Sequence, residues 1–147
     1  VDNAPLASDG IFHIVGGTGA TNAISFSSAV LNPVIAIWSL GQSGTQASFV
    51  FNAPFTVEAG GPSAEYNGGP LGGVSPVVTG NESNGVIQFH GTFNSLTFTN
   101  PQAENWYGFA VGVAGVPEPA SWALMILGFG GVGSALRTRR RMAATAA

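Results

Sequence analysis

An all-β fold, an antiparallel sandwich or jelly-roll-like domain over residues 1–113, is what the sequence predicts, on three observations. Apolar residues recur at period two, clusters of glycine, proline and asparagine separate the runs, and nothing before residue 114 shows the 3.6-residue period of an amphipathic helix. Many short strands divided by turn residues bury their apolar faces most simply against a second sheet.

The elements follow in order. Ile24 and Phe26 alternate with Ser25 and Ser27, and Asn32-Pro33 ends that run. Residues 34–40 are apolar on both faces and predict a central strand. After the glycines between Gly41 and Gly44, Ala47, Phe49 and Phe51 alternate with Ser48 and Val50. The longest irregular stretch, residues 60–73, holds Gly60-Gly61-Pro62 and Asn67-Gly68-Gly69-Pro70, and its Glu65, Tyr66 and Asn67 are functional candidates because long loops often carry function. Gly80-Asn81 and Asn84-Gly85 read as turns. Residues 86–93 then read as one strand, with Ile87, Phe89 and Phe93 on one face and Gln88, His90 and Thr92 on the other. Leu96 and Phe98 alternate with Ser95, Thr97 and Thr99; after Asn100-Pro101, Tyr107, Phe109, Val111 and Val113 alternate with Gly108, Ala110 and Gly112. About eight strands are expected.

Charge excludes several functions. Only 7% of the 147 residues are charged, against about 25% in an ordinary soluble protein. Before residue 117 the charged side chains are Asp2, Asp9, Glu58, Glu65, Glu82 and Glu104, and there is no lysine anywhere and no arginine before Arg137. A region without cations has no means of neutralising phosphates, so no nucleic-acid partner is expected. The absence of cysteine removes thiol nucleophiles, thiolate metal sites and disulfides together.

Catalytic chemistry has little to draw on. His13 and His90 stand apart, no His-x-x-x-His or Gly-x-Ser-x-Gly occurs, and the acids are scattered singly, so neither an enzyme nor a metal or other cofactor is expected. Asp9-Gly10 and Asn81-Glu82-Ser83 read as turns. The aromatic residues are more informative. Trp38, in a doubly apolar run, is expected in the core, whereas Tyr66 and Trp106 are the candidates for ligand binding, since sugars stack on exposed rings and bond to Asn, Gln and Glu.

The chain is organised differently after residue 113. A short linker, residues 114–119, ends in Pro117-Glu118-Pro119, two prolines that hold an extended segment around one glutamate. From Ala120 to Leu136 run seventeen residues without charge. As a helix they would measure roughly 26 Å, near the lower limit for crossing a bilayer core. Trp122 near one end suits the headgroup region, and Arg137, Arg139, Arg140 and Arg141 in the tail, residues 137–147, suit cytoplasmic retention. Residues 120–136 are therefore expected to form a transmembrane helix with the β domain outside.

This order, Pro-Glu-Pro, then Ala-Ser-Trp-Ala-Leu-Met, then Gly-Phe-Gly-Gly-Val-Gly and an arginine cluster, closely resembles the PEP-CTERM protein-sorting signal of Gram-negative bacteria across residues 117–141. The resemblance implies that an exosortase, an integral-membrane cysteine protease, recognises the signal and removes the tail, leaving the domain at the cell envelope surface or outside the cell. The stretches SFSSAVLNPVIAIWSLGQ, FNAPFTV and VIQFHGTFNSLTFTNPQAENWYGFAVGV also resemble, more loosely, the exported β domain of one PEP-CTERM group. That likeness implies a surface or matrix protein, associated with exopolysaccharide or with copies of itself in a biofilm, and brings no activity with it. A carbohydrate-binding module and a tail-anchored surface protein that is never processed are the alternatives. No basic segment followed by an apolar run stands at Val1, so the export signal is expected to have been removed or to lie upstream.

Overall fold

A computed structural model describes residues 10–63 and 66–113, together with Leu127. Two compact units divide the chain, Val1–Ala114 and Gly115–Ala147, and the second contributes only Leu127 to the described residues. The expected transmembrane helix, Pro117, Glu118, Pro119, Trp122 and the four arginines therefore lie outside the described residues, as does Glu65. Among the described residues no helix is long and apolar enough to cross a membrane.

The first unit is all β. Its described residues form ten strands, β1 (Phe12–Gly16), β2 (Thr21–Leu31), β3 (Pro33–Leu40), β4 (Ala47–Phe51), β5 (Phe55–Gly60), β6 (Gly69–Pro70), β7 (Val77–Gly80), β8 (Ser83–Phe89), β9 (Thr92–Thr99) and β10 (Ala103–Val113). One sheet has the order β1-β10-β3-β8-β5, with the two-residue β6 beside β8, and the other has the order β2-β9-β4-β7. Every pairing is antiparallel except that of β6 with β8.

The pairing is nested: β1 with β10, β2 with β9, β3 with β8 and β4 with β7. One long antiparallel hairpin has been folded over on itself, with β5 and β6 at its closed tip, a pattern of the jelly-roll kind. Successive strands thereby switch sheets, and the links that carry the chain across are short. Asn32 alone joins β2 to β3, Asn81 and Glu82 join β7 to β8, and His90 and Gly91 join β8 to β9. Such abrupt crossings demand positive φ, found at Asn32 (51°), Glu82 (59°) and Gly91 (118°). Two of the links fasten each other: Asn32 N donates to Gly91 O, and Gly91 N donates to Asn32 Oδ1, both at 2.8 Å.

The facing surfaces of the sheets share one apolar core. Phe49 and Phe51 of β4 and Phe98 of β9 meet Phe89 of β8 and Tyr107 and Phe109 of β10, with ring centroids 5.1–5.7 Å apart across the two sheets. Edge-to-face geometry predominates, which favours ring pairs beyond their area burial. Residues 34–40 do form the central strand of the first sheet, with Ile35 and Ile37 in this core.

Two readings from the sequence are corrected. Residues 86–93 do not make one strand: the chain turns at His90-Gly91, so Phe89 and Phe93 come from different sheets yet pack on the same core, at 6.0 Å. Asn84-Gly85 is not a turn but part of β8. A Cβ at Gly85 would come within 2.4 Å of Ala59 O and 2.7 Å of Leu71 Cδ1, so glycine is there for close approach rather than for a bend.

Candidate functional site: an aromatic row with an acidic end

The first sheet buries part of its outer face as well. Along β3, Ile35 and Ile37 point into the shared core, while Ala36 and Trp38 join Val86 in a second apolar cluster against which Ile11, Val34, Ala59, Tyr66, Trp106 and Ala110 pack. Trp38 is thus buried as expected, but in this second cluster rather than between the sheets. Trp38 and Tyr107 are buried, whereas Tyr66 and Trp106, the two candidates for ligand binding, are half-buried.

Tyr66 and Trp106, far apart in sequence, are brought together. Their rings are nearly parallel, 15° between planes with centroids 6.3 Å apart, and His13 of β1 also stacks with Trp106, at 6.0 Å and 21°. Trp106 can lie over its own strand because residue 108 is glycine: a Cβ there would come within 2.5 Å of Trp106 Cη2 and 2.9 Å of Ile11 Cγ2. His13 is oriented by a hydrogen bond from Nε2–H to Asn105 O at 3.2 Å, a carbonyl that can only accept.

Tyr66 is held by a buried amide. Asn84 Nδ2 donates to Tyr66 O at 3.2 Å and to Gly61 O at 3.3 Å, and Asn84 Oδ1 accepts from Ser39 N at 3.4 Å. Ser63 and Tyr66 bond each other, Ser63 N to Tyr66 O at 2.7 Å and Tyr66 N to Ser63 Oγ at 3.0 Å. Asn84 therefore ties the loop after β5 to β3 and β8. Asn84→Ala removes all three of these hydrogen bonds at a buried position and is expected to cost about 1–3 kcal/mol, read as a lowered midpoint in urea unfolding.

Glu82 stands at the acidic end of the row. Its Oε1 accepts from Ser39 Oγ at 2.7 Å and from Tyr66 OH at 3.2 Å, and both Glu82 and Ser39 (φ 53°) carry positive φ, uncommon for residues with a side chain. Glu104 lies close enough to feel the charge of Glu82. Burial, then that neighbouring carboxylate, pushes the Glu104 carboxyl above its ordinary value, against the opposing hydrogen-bond contributions of Tyr107 and the Gly41 backbone. Glu104 Oε2 is shielded from solvent and has no hydrogen-bond partner. Tyr107 is pushed up to about 12, by burial first and then by Glu104, and its hydroxyl donates to Gln102 O at 2.9 Å. Beside Glu104, an open cleft of about 270 Å³ is lined by Val15, Gly16, Gln42, Ala103, Glu104 and Asn105.

A carboxyl whose pKa is higher folded than unfolded binds more protons in the folded state, so its contribution to stability falls as pH rises from the unfolded value through the folded one. Glu104→Gln is therefore expected to raise the melting temperature at pH 7, to leave it nearly unchanged at pH 3, and to flatten the dependence between. Thermal unfolding at a series of pH values measures this.

His90, expected on a solvated face, is exposed. Its Nε2 lies 3.0 Å from Thr56 Oγ1, which also bonds Glu58 Oε1. The hydroxyl sits between imidazole and carboxylate, so the carboxylate does not orient the histidine as a base for that hydroxyl. Among the described residues no three His, Asp or Glu side chains come together in a way that could hold a metal ion.

Sequence reading found Tyr66 and Trp106 but missed His13, Glu82 and Glu104. The position of Glu104 two residues before Trp106 was the one available sign; His13 and Glu82 join only through strand pairing. No curated protein and no solved structure matches the chain. A family model described as the PEP-CTERM protein-sorting motif matches residues 115–141. Together with the Pro-Glu-Pro segment, apolar run and arginine cluster read there, this match identifies the chain as a carrier of the PEP-CTERM sorting motif, which implies export, sorting to the cell envelope and an exosortase as its processing partner.

Proposed function

We propose that the protein is a non-catalytic surface or extracellular-matrix protein whose β domain, delivered through the sorting motif and freed by loss of the tail, holds exopolysaccharide. The observation that carries the polysaccharide reading is the row of His13, Trp106 and Tyr66 on the outer face of the first sheet, ended by a carboxylate that accepts from the Tyr66 hydroxyl. The parts of these rings left open to solvent, on half-buried Tyr66 and Trp106 and exposed His13, offer apolar surface to the C–H faces of sugars, and neighbouring carboxylate and amide groups bond hydroxyls. Before processing, the proposed helix over residues 120–136 anchors the protein in the inner membrane.

Affinity electrophoresis of the protein through gels containing different polysaccharides tests this. Trp106→Ala is expected to weaken retention roughly tenfold or more, in line with the loss of a central aromatic contact. Equal mobility in every gel, with and without polysaccharide, would refute the reading. Self-association would then be the better account, favoured by exposed Phe12 and Val15 on edge strand β1, and light scattering against concentration would detect it.

A further inference from the structure

The four outermost strands of the two sheets are not equally protected. An edge strand presents unpaired N–H and C=O groups to any strand that fits, and β1, β5, β2 and β7 stand at the edges. On its open side β7 already has Gly72, which exchanges hydrogen bonds with Thr79 at 2.8 and 2.9 Å. β5 carries Glu58 and an extra residue between Val57 and Ala59, which face the adjacent Ile87 and Val86. β2 bulges between Ser25 and Val30, and the side chains it exposes before that point, Thr21, Ala23 and Ser25, are small or polar. Bulges and charges of this kind discourage pairing. β1 has neither an acid nor a proline, and the irregularity beside it puts the extra residues on β10, where Ala103 to Tyr107 faces Gly16 to Ile14. It also exposes apolar Phe12 and Val15, at 62% and 53%.

We propose that β1 of one copy pairs antiparallel with β1 of a second copy about a two-fold axis perpendicular to the sheet, joining two ring rows on one continuous outer face. The joined row rests on the polysaccharide reading above; the pairing does not. Charge selects a second copy as the occupant. Two such acidic domains, without lysine or arginine before Arg137, repel each other least along a strand that holds no acid, whereas a basic partner would be drawn to the carboxylates elsewhere. Full overlap of the five residues centres the axis on Ile14 and keeps core-side residues opposite core-side residues. Phe12, stacked on Phe109 at 5.4 Å, then lies opposite Gly16 of the second copy, which has no side chain to obstruct it. His13 is on the outer face, because its partner Gly108 pairs in turn with Trp38 of the outer cluster. The two β10 strands, each bearing Trp106, would lie three strand intervals apart, about 14 Å. Contact over five residues falls short of the roughly 1,200 Å² of a stable interface, so pairing is weak in solution and strengthens where one polymer holds two copies together.

Sedimentation of the full chain in detergent against protein concentration tests the pairing. Phe12→Lys should abolish the dimer, whereas Leu31→Lys and Ala23→Lys, on β2, should keep it. The chain has no cysteine, so a disulfide formed by Ile14→Cys must join two copies. Under mild oxidation Ile14→Cys should dimerise faster than Ala23→Cys, although Ile14 is the less exposed of the two. Cross-linking of Ile14→Cys no faster than that of Ala23→Cys would overturn the pairing, as would a dimer that survives Phe12→Lys or is lost with Ala23→Lys. Electrophoresis through gels containing hydroxyethylcellulose, dextran or alginate tests the joined row. Phe12→Lys should weaken retention roughly tenfold wherever the natural protein is retarded, since each copy then binds alone. Unchanged retention of that variant would overturn the joined row. Unretarded migration of the natural protein in every gel would remove the polysaccharide reading and the joined row with it, while the cross-link decides the pairing by itself.

Discussion

Alanine in place of Pro117, Glu118 and Pro119 is expected to leave the protein full-length and membrane-bound, because on the proposed function the apolar run and arginines that would anchor it remain while the segment proposed to be read by the protease is lost. On the processing proposed above, a cut at or near these residues would remove Glu118 and all four arginines and shift the side-chain charge from −3 for the whole chain to about −6 for the released domain. Intact mass and isoelectric focusing of protein recovered from the cell surface or medium read both states. The released domain should also resist trypsin even in urea, since Arg137 is the first site at which trypsin could cut. Normal release of the alanine variant would remove the motif from the processing step. Surface-exposed natural protein still carrying Arg137 to Arg141 would instead describe an unprocessed tail-anchored protein.

Phe49→Ala is expected to cost about 3–5 kcal/mol, a large part of the roughly 5–15 kcal/mol that holds a typical domain folded. Phe49 is 1% exposed and meets Phe51, Phe98 and Tyr107 at centroid distances of 6.3, 5.1 and 5.7 Å, so its ring joins strands of both sheets. The surrounding rings belong to paired strands and cannot collapse far into the space left. Phe49→Leu should cost much less, because it keeps most of the apolar volume. Urea unfolding followed by tryptophan fluorescence gives both values, and a loss below about 1 kcal/mol for alanine would contradict a single core shared by both sheets.

These two results separate the halves of the protein by the kind of information that specifies them. Sorting depends on residues adjacent in sequence: two prolines around a glutamate, seventeen uncharged positions and four closely spaced arginines. Each is a property of composition and spacing along a short segment, so the motif is legible without a fold. The β class is legible for a similar reason, because a half-buried strand must alternate apolar and polar side chains wherever it lies. Phe49, Phe51, Phe98, Phe109 and Leu96 all reach the core that their alternation indicates.

Local patterns also misled where tertiary demands overrode them. Asn84-Gly85 has the composition of a turn, yet the glycine makes room for Leu71 and the backbone of Ala59, and the asparagine has gone to 0% exposure to tie three segments together. Residues 86–93 alternate without a break because both sheets face one core, so a chain crossing between them at His90-Gly91 keeps its phase while changing partners.

By itself, then, the sequence determined the β class, the central position of residues 34–40, the lack of lysine and arginine before Arg137 and the address carried by residues 117–141, since each is a property of neighbouring residues or of composition. Only the tertiary structure decided the nested pairing and the site. His13, Tyr66, Glu82 and Trp106 come from four separated segments, and what unites them is the pairing of β1 with β10 and of β10 with β3, the crossing link before β8 and the hold of Asn84 on the loop after β5. Period-two alternation says which face a side chain takes but not which strand lies beside it, and the choice of neighbour rests on contacts between residues far apart in sequence, such as Phe12 with Phe109 and His13 with Asn105.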